Sequence, residues 1–433
     1  MLAPFAPPGL RYNGDRVRLL VQRPQLGNMD AMGFRFAGCL GIMWASVMNV
    51  MAGDIQYIQP SGGQSQCVVI DAAELVHTSQ ICGVTDKASS ASQQASTALQ
   101  RVEQVLAKQG SGLQKAVRLH FYLARGEDVA AVEDVLRQQY AGMQPPAVSI
   151  VQTTLPWAEA LIAVDAIGYR EQSAASETHA PIDVSATQAK LPWLVGAAAA
   201  SRVLTVGPKV YVSGQAEKGD ASMRDATKQT MLSLGRTLTF LGLSSRDVVH
   251  VKCFLGPMSQ GGEALDAIQS YFGDSGVPPT SLVEWQSNLP IEIELVVSGN
   301  SNPALLAGPA IEVRTPPGMT APPVYSRVTI ARHSKTIYTS GIYAENPTAM
   351  PEAQMRSLFS QLKRTLDSAE SDWMHLAKAT YYVNNDELNK WHNLLRPDYF
   401  SPRRPPAASK ATVRGVGRIG HGFMMDFIAT PGE

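Results

Sequence analysis

Three serines stand at the ends of near-identical strand patterns. They are Ser79 in Val76-His77-Thr78-Ser79, Ser213 in Val210-Tyr211-Val212-Ser213-Gly214, and Ser340 in Ile337-Tyr338-Thr339-Ser340-Gly341. A hydroxyl at a strand end can contact a ligand or close a turn. The serines are offset by 134 and then 127 residues. The pairs Pro145-Pro146, Pro278-Pro279 and Pro405-Pro406 are offset by 133 and then 127. Two unrelated landmarks sharing one spacing mark an internal repeat. Other chemistry-bearing residues are sparse. The four cysteines and eight histidines show no metal-ligand spacing, so the histidines read as structural and no metal or cofactor is expected. Cys67 and Cys82 flank a hairpin expected to turn near Asp71 to Glu74. Antiparallel register puts Cys67 opposite about Thr78 rather than Cys82, which argues against a bridge. Cys253 sits in an apolar strand as a small core residue.

Within each repeat the hydrophobic period switches from two to about 3.6 and back. In the first, Leu99, Val102, Val105 and Leu106 fall on one helical face, and Gly110 and Gly112 end that helix. In the third, Met355, Leu358, Phe359, Leu362 and Leu366 form the same stripe. The middle strands are Ala116 to Leu123, Val248 to Leu255 and Leu376 to Val383. A second amphipathic helix follows each, over Val129 to Tyr140, Glu263 to Phe272 and Glu387 to Leu395. Closing strands such as Ile291 to Val297 come after the proline pairs. Each repeat therefore reads β-β-α-β-α-β-β, an α+β unit with both helices on one face of a sheet. The other face is left open, and three such units can cover one another. The repeats run over 66–170, 191–299 and 324–433, with linkers at 171–190 and 300–323, the second rich in proline.

The chain has 433 residues, 45% hydrophobic and 17% charged, which describes a globular protein of several domains. Lysine plus arginine balance aspartate plus glutamate, 37 against 37. That balance lacks the basic footprint of a nucleic-acid binder. Near the N-terminus Arg35 precedes an apolar run over 36–52, which includes Cys39 and ends Val50-Met51-Ala52. A charged flank, an apolar stretch and small residues at the cut are the parts of an export signal. Residues 1–52 are thus expected to be an upstream segment plus signal peptide cut after Ala52. The mature protein is then periplasmic or extracellular, with no stable membrane association. An uncleaved membrane anchor is the alternative, since 17 residues approach the lower limit for a span.

These landmarks resemble the RidA/YjgF family, also called L-PSP endoribonucleases. The resemblance rests on Ser213-Gly214-Gln215 and Ser340-Gly341, on Asp247-Val248-Val249-His250-Val251-Lys252, and on Ile291-Glu292-Ile293-Glu294, in shared order over roughly residues 66–433. It implies a chorismate-mutase-like fold in which three subunits meet around a central β-barrel, helices outside, with ligand clefts between subunits. Three tandem repeats then imply an intramolecular pseudo-trimer, a monomer in solution. Linkers of about twenty residues keep the repeats at high effective concentration.

The resemblance also implies site residues. Enzymatic members hydrolyse enamines and imines derived from amino acids, and hold the substrate carboxylate with an arginine in a P-x-R-S motif. The matching positions here are Val148, Thr280 and Ala408, so that arginine is absent three times. Two residues on, the same strand face carries Ile150, Leu282 and Lys410, and only Lys410 could hold a carboxylate as a point charge. The family's water-orienting glutamate matches Glu292, with Ala163 and Met424 in the other repeats. Its aromatic matches Tyr325 two residues out of register, and its helix asparagine matches Asn389, with Glu133 and Asp266 elsewhere. A composite site joining Lys410 to Ser213 or Ser340 is the expected form. The missing arginine, and export away from the cytoplasm where such enamines arise, point to a non-catalytic or small-molecule-binding member, a small carboxylate being the ligand that Lys410 suggests. A deaminase-like hydrolase with one altered inter-repeat site is the second reading. A ribonuclease is disfavoured by charge balance.

Overall fold

A computed structural model describes residues 55–85, 89–170, 192–201, 204 and 206–432. The expected signal segment and the first linker lie outside these residues. The first repeat contains β1 (Ile55–Ile58), β2 (Cys67–Ile70), β3 (Glu74–His77), β4 (Ile81–Cys82), α1 (Ala91–Ala107), β5 (Ala116–Leu123), α2 (Val129–Gln139), β6 (Ala147–Gln152) and β7 (Ile162–Arg170). The second contains β8 (Lys209–Gln215), α3 (Met223–Phe240), β9 (Val248–Leu255), α4 (Gly261–Phe272), β10 (Thr280–Glu284) and β11 (Ile291–Ser298). The third contains β12 (Ile311–Arg314), β13 (Val328–Ala331), β14 (Thr336–Thr339), α5 (Pro351–Ser368), β15 (Leu376–Val383), α6 (Asp386–Tyr399), β16 (Ala407–Thr412), β17 (Gly415–Val416) and β18 (Phe423–Ala429). The segment read as a proline-rich linker thus carries β12.

The helical stripes are buried as their spacing predicts. Leu99, Val102, Val105 and Leu106 of α1 face one core, and Met355, Leu358, Phe359, Leu362 and Leu366 of α5 face another. Side chains cap the free N–H groups at the helix starts: Ser90 with Gln93 in a capping box on α1, Ser222 on α3 and Asn385 on α6.

The strands form three six-stranded sheets, and the leading strands do not stay at home. The first repeat's β1 and β2 join the third repeat's sheet, in the order β1-β2-β14-β18-β15-β16. The third repeat's β12 and β13 join the second repeat's sheet, β10-β9-β11-β8-β13-β12. The remaining sheet is β17-β6-β5-β7-β3, with β4 on β7. It receives the second repeat's leading segment through bridges of Leu75 with Leu204, Thr78 with Ala200 and Ile81 with Leu194. Each repeat therefore passes its leading segment to its neighbour, and the exchange closes in a ring.

This overturns the expected hairpin around Asp71 to Glu74. Cys67 lies opposite Thr339, not Thr78. Thr339 stands immediately before Ser340 as Thr78 stands before Ser79, so the register is the expected one on a different copy. Strand pairing is fixed by which side chains face which layer, and the three copies share that pattern. Cys67, Cys82 and Cys253 are free thiols, all buried.

The open faces of the three sheets cover one another. Val68, Val117, Tyr211, Val249, Tyr338 and Ile428, drawn from all three repeats, share one central cluster. Among the described residues the sheets meet through single bridges, Ser65 with Ala147 and Ser326 with Ala407, and no continuous ladder closes them into the expected central barrel. Between the apolar layers lies a charged centre. Arg118 pairs with Asp426 at 2.8 Å and Lys378 with Glu294 at 2.7 Å, each across two repeats. Lys252 donates to the Tyr382 hydroxyl at 2.6 Å and contacts His120 Nδ1 at 3.1 Å. Asp165 accepts from Ser281 at 2.6 Å and from Tyr122. Arg118, His120, Asp165, Lys252, Glu294 and Lys378 line a cavity of about 60 Å³.

Candidate functional site

The three serines are the fasteners of the ring. Ser79 Oγ donates to Ala198 O at 2.6 Å and accepts from Thr280 N at 2.8 Å. Ser213 Oγ donates to Ser326 O at 2.5 Å and accepts from Ala408 N at 2.7 Å. Ser340 Oγ donates to Ser65 O at 2.5 Å and accepts from Val148 N at 2.7 Å. Each hydroxyl thus satisfies one carbonyl of an exchanged segment and one N–H of a neighbouring repeat. Those N–H groups belong to the three positions without arginine. The Val148, Thr280 and Ala408 side chains are themselves buried.

The three junctions differ in what surrounds this common fastener. At the first, Gln80 follows Ser79 where glycine follows the other two serines. Its buried amide exchanges hydrogen bonds with the Leu282 backbone at 3.2 and 3.3 Å and fills the space.

Two candidate residues stand on strands that flank the junction of repeats 2 and 3, Glu292 on β11 and Lys410 on β16. Glu292 on β11 reaches past Gly214, where any Cβ would overlap its carboxylate. Its Oε1 is shielded from solvent and meets no donor among the described residues. Burial pushes the carboxyl up to about 7, the neighbouring Glu294 adds to the rise, and Lys378, the Ser409 hydroxyl and Arg327 work against it. Ser409 Oγ accepts from Gly214 N at 3.1 Å, which sets β16 against this strand end. Next along β16, Lys410 Nζ donates to Asn389 Oδ1 at 2.8 Å and to Asn393 Oδ1 at 2.9 Å, both on α6. Burial lowers the ammonium to about 8, with Arg396 contributing. Among the described residues Lys410 makes no ion pair.

The structure therefore brings Lys410 and Asn389 together, while Ser213 belongs to the junction of repeats 2 and 3 and Ser340 to the junction of repeats 3 and 1. Tyr325 packs against the core of repeat 3, under the Arg327 guanidinium 5.4 Å from its ring centroid. Arg327 and Asn393 escaped the sequence reading. Arg327 became relevant only through strand exchange, which places its carbonyl on Ser213 N at 3.0 Å. Asn393 could have been found, one helical turn beyond Asn389 and on the same face. Among the described residues no cluster of His, Cys, Asp and Glu has the arrangement to hold a metal.

The endoribonuclease L-PSP family profile matches residues 55–169 and 194–298, together about half of the chain. The chain belongs to this family, the RidA/YjgF proteins. The third repeat lies outside the matched residues and has the same element order. Similar solved structures include a YjgF-family protein from Neisseria meningitidis, 20% identical, covering 28% of this chain and 99% of its own, with a TM-score of 0.22. A YjgF/YER057c/UK114-family protein from Mycobacterium tuberculosis is 25% identical and covers 27% and 99%, with a TM-score of 0.21. A Rid-family protein of unknown function from Yersinia pestis is 21% identical and covers 27% and 98%, with a TM-score of 0.24. No curated relative matches the chain.

Proposed function

We propose that this chain is an exported, monomeric RidA-like protein that binds a small carboxylate at the junction of repeats 2 and 3, and that it is not an efficient enamine deaminase. The observation carrying this reading is Lys410. Two neutral amide oxygens orient its ammonium without neutralising it. A ligand carboxylate would complete a charge-assisted hydrogen bond there. The expected result is that small carboxylates such as propionate raise the thermal midpoint of the wild-type protein and leave Lys410→Ala unshifted. Without ligand the two midpoints should lie close together, because this lysine is only partly buried and its partners are neutral. Equal shifts in the two proteins would place the ligand elsewhere.

A hydrolytic reading is kept open by Glu292, a carboxyl raised to about 7 with a buried, unpartnered oxygen. Such a group can exchange a proton near neutral pH. Losing the bidentate arginine contact should still leave hydrolysis of 2-aminoacrylate roughly two or more orders of magnitude below that of an arginine-bearing relative. A coupled assay that generates the enamine in situ measures this. Turnover matching the relative, and lost in Glu292→Gln, would establish the hydrolase instead.

A further inference from the structure

The cavity at the centre of the ring is lined by none of the three junction serines. Its walls come from all three middle strands. Arg118, His250 and Lys378 face it from β5, β9 and β15, and His120, Lys252 and Thr380 follow two residues on, along the same strand faces. Three identical subunits would bring three like side chains to such a centre. Three diverged repeats in one chain bring different ones, and so can build a lopsided site.

The hydrogen bonds fix which atoms are left over. Arg118 is paired with Asp426 and Lys378 with Glu294. Lys252 makes no ion pair among the described residues, and its ammonium faces the rings of Tyr382, Tyr122 and Phe254 at 5.4, 5.6 and 5.9 Å. An ammonium has three N–H groups. One goes to the Tyr382 hydroxyl at 2.6 Å and one to His120 Nδ1 at 3.1 Å. The third finds no acceptor among the described residues. Because His120 Nδ1 accepts from Lys252, the neutral imidazole carries its proton on Nε2. That Nε2–H is buried and also without a partner among the described residues. His77 Nε2, buried in the same lining, is a further ring nitrogen without one.

The charges of the lining point the same way. Arg118, Lys252 and Lys378 stand against Asp165 and Glu294, an excess of one cation, and Asp426 pairs with Arg118 without lining the cavity. Both lining acids are supplied with donors: Asp165 by Ser281 and Tyr122, Glu294 by Lys378. The unmet groups are donors, on Lys252 and His120. An anion needs only donors, whereas a water must also give away two protons of its own. A cavity of about 60 Å³ has room for a monatomic ion or a few waters and is far below the size of an organic-ligand site. We propose that the centre of the ring binds one small monovalent anion of halide size, held by His120 Nε2–H and the remaining N–H of Lys252. Asp165, Glu294 and Asp426 repel it, which sets the expected affinity in the millimolar range. The site is independent of Lys410.

Denaturant unfolding of the full chain in sodium chloride and in sodium gluconate, at equal ionic strength, tests this. Chloride should raise the midpoint to a plateau, half-reached at millimolar concentration, and gluconate, too large for the cavity, should not. Lys410→Ala should keep the chloride response. His120→Phe retains a ring to stack on Tyr122, 4.6 Å away in the wild type, and removes the donor. It should need at least about tenfold more chloride for the same effect. Crystals of the wild-type protein grown from sodium bromide should show an anomalous bromine peak inside the cavity, a readout that stands even if His120→Phe fails to fold. Bromine peaks confined to the surface would mean an adventitious ion only and would overturn the proposal. So would an equal rise in gluconate, an unchanged chloride dependence in a folded His120→Phe, or loss of the response in Lys410→Ala, which would assign the ion to that lysine instead.

Discussion

Truncating Asp426 to alanine should lower the stability of the folded chain by about 3–5 kcal/mol, the cost of leaving a buried charge without its partner. Asp426 on β18 and Arg118 on β5 are 2.8 Å apart, with side chains 1% and 11% exposed. Burial works against the guanidinium's charge, and Asp426, with Tyr382 and Asp165 adding to it, more than offsets that cost. Take the carboxylate away and Arg118 keeps its charge with no solvent to screen it. Replacing both residues by apolar ones of similar volume should cost far less, because desolvating the pair consumes most of its attraction. Urea denaturation of Asp426→Ala, and of the double variant Arg118→Met with Asp426→Leu, measures the difference. The exposed pair Arg356 and Glu352 on α5, 2.8 Å apart, supplies the contrast, and breaking it should cost less than about 1 kcal/mol. If Asp426→Ala cost no more than that surface pair, the charged centre would not be holding the repeats together.

That centre also shows where sequence reading stops. Arg118, His250 and Lys378 occupy the same place in the three middle strands, and Asp165, Glu294 and Asp426 the same place in the three closing strands. Polar residues alternating with apolar ones along a strand ordinarily mean a solvated face. Here the alternation is satisfied across copies instead, and only the closing of the ring reveals the partner. The helices were legible because their stripes and caps are local. The partner of β2 was not legible: the expected pairing of Cys67 with Thr78 rested on a hairpin about Asp71 to Glu74, and Thr339, which presents the same local pattern on another copy, takes that place. The candidate site divides along the same line. Lys410 and Asn389 could be named from position. Arg327 could not, because its place beside Ser213 depends on an exchanged segment. The serines looked equally suited to ligand contact and to turn-making, and their hydrogen bonds assign them to the ring itself.

The same centre should make the protein sensitive to mild acid. Burial pushes His77 and His250 down to about 3, and their charged neighbours add to the shift in both directions. His77 faces His250, Asp165 and Arg118, while His250 faces Lys252, Glu294 and Arg118. Their rings are 5.7 Å apart. Both folded-state values lie below the ordinary 6.5. Between about 3 and 6.5 the unfolded chain therefore binds more protons than the folded one, and stability falls as pH is lowered through that window. Each histidine contributes a slope of about 1.4 kcal/mol per pH unit. His120 and His392 are also lowered and act in the same direction. Glu292, raised to about 7, acts oppositely, because its folded form holds a proton that the unfolded form releases above about 4.5. Lys252 and Lys209, lowered to about 8 by burial, titrate outside the window. The histidines outnumber the single opposing carboxyl, so stability should drop by a few kcal/mol between pH 6.5 and 4.5. Ordinary carboxylates are still ionised over the upper part of that range, which keeps the interval from 6.5 to 5 diagnostic of histidine. Denaturant unfolding at pH 7, 6 and 5 is the measurement. A flat stability across those three values would mean that the three sheets open enough at their centre to let water reach the imidazoles.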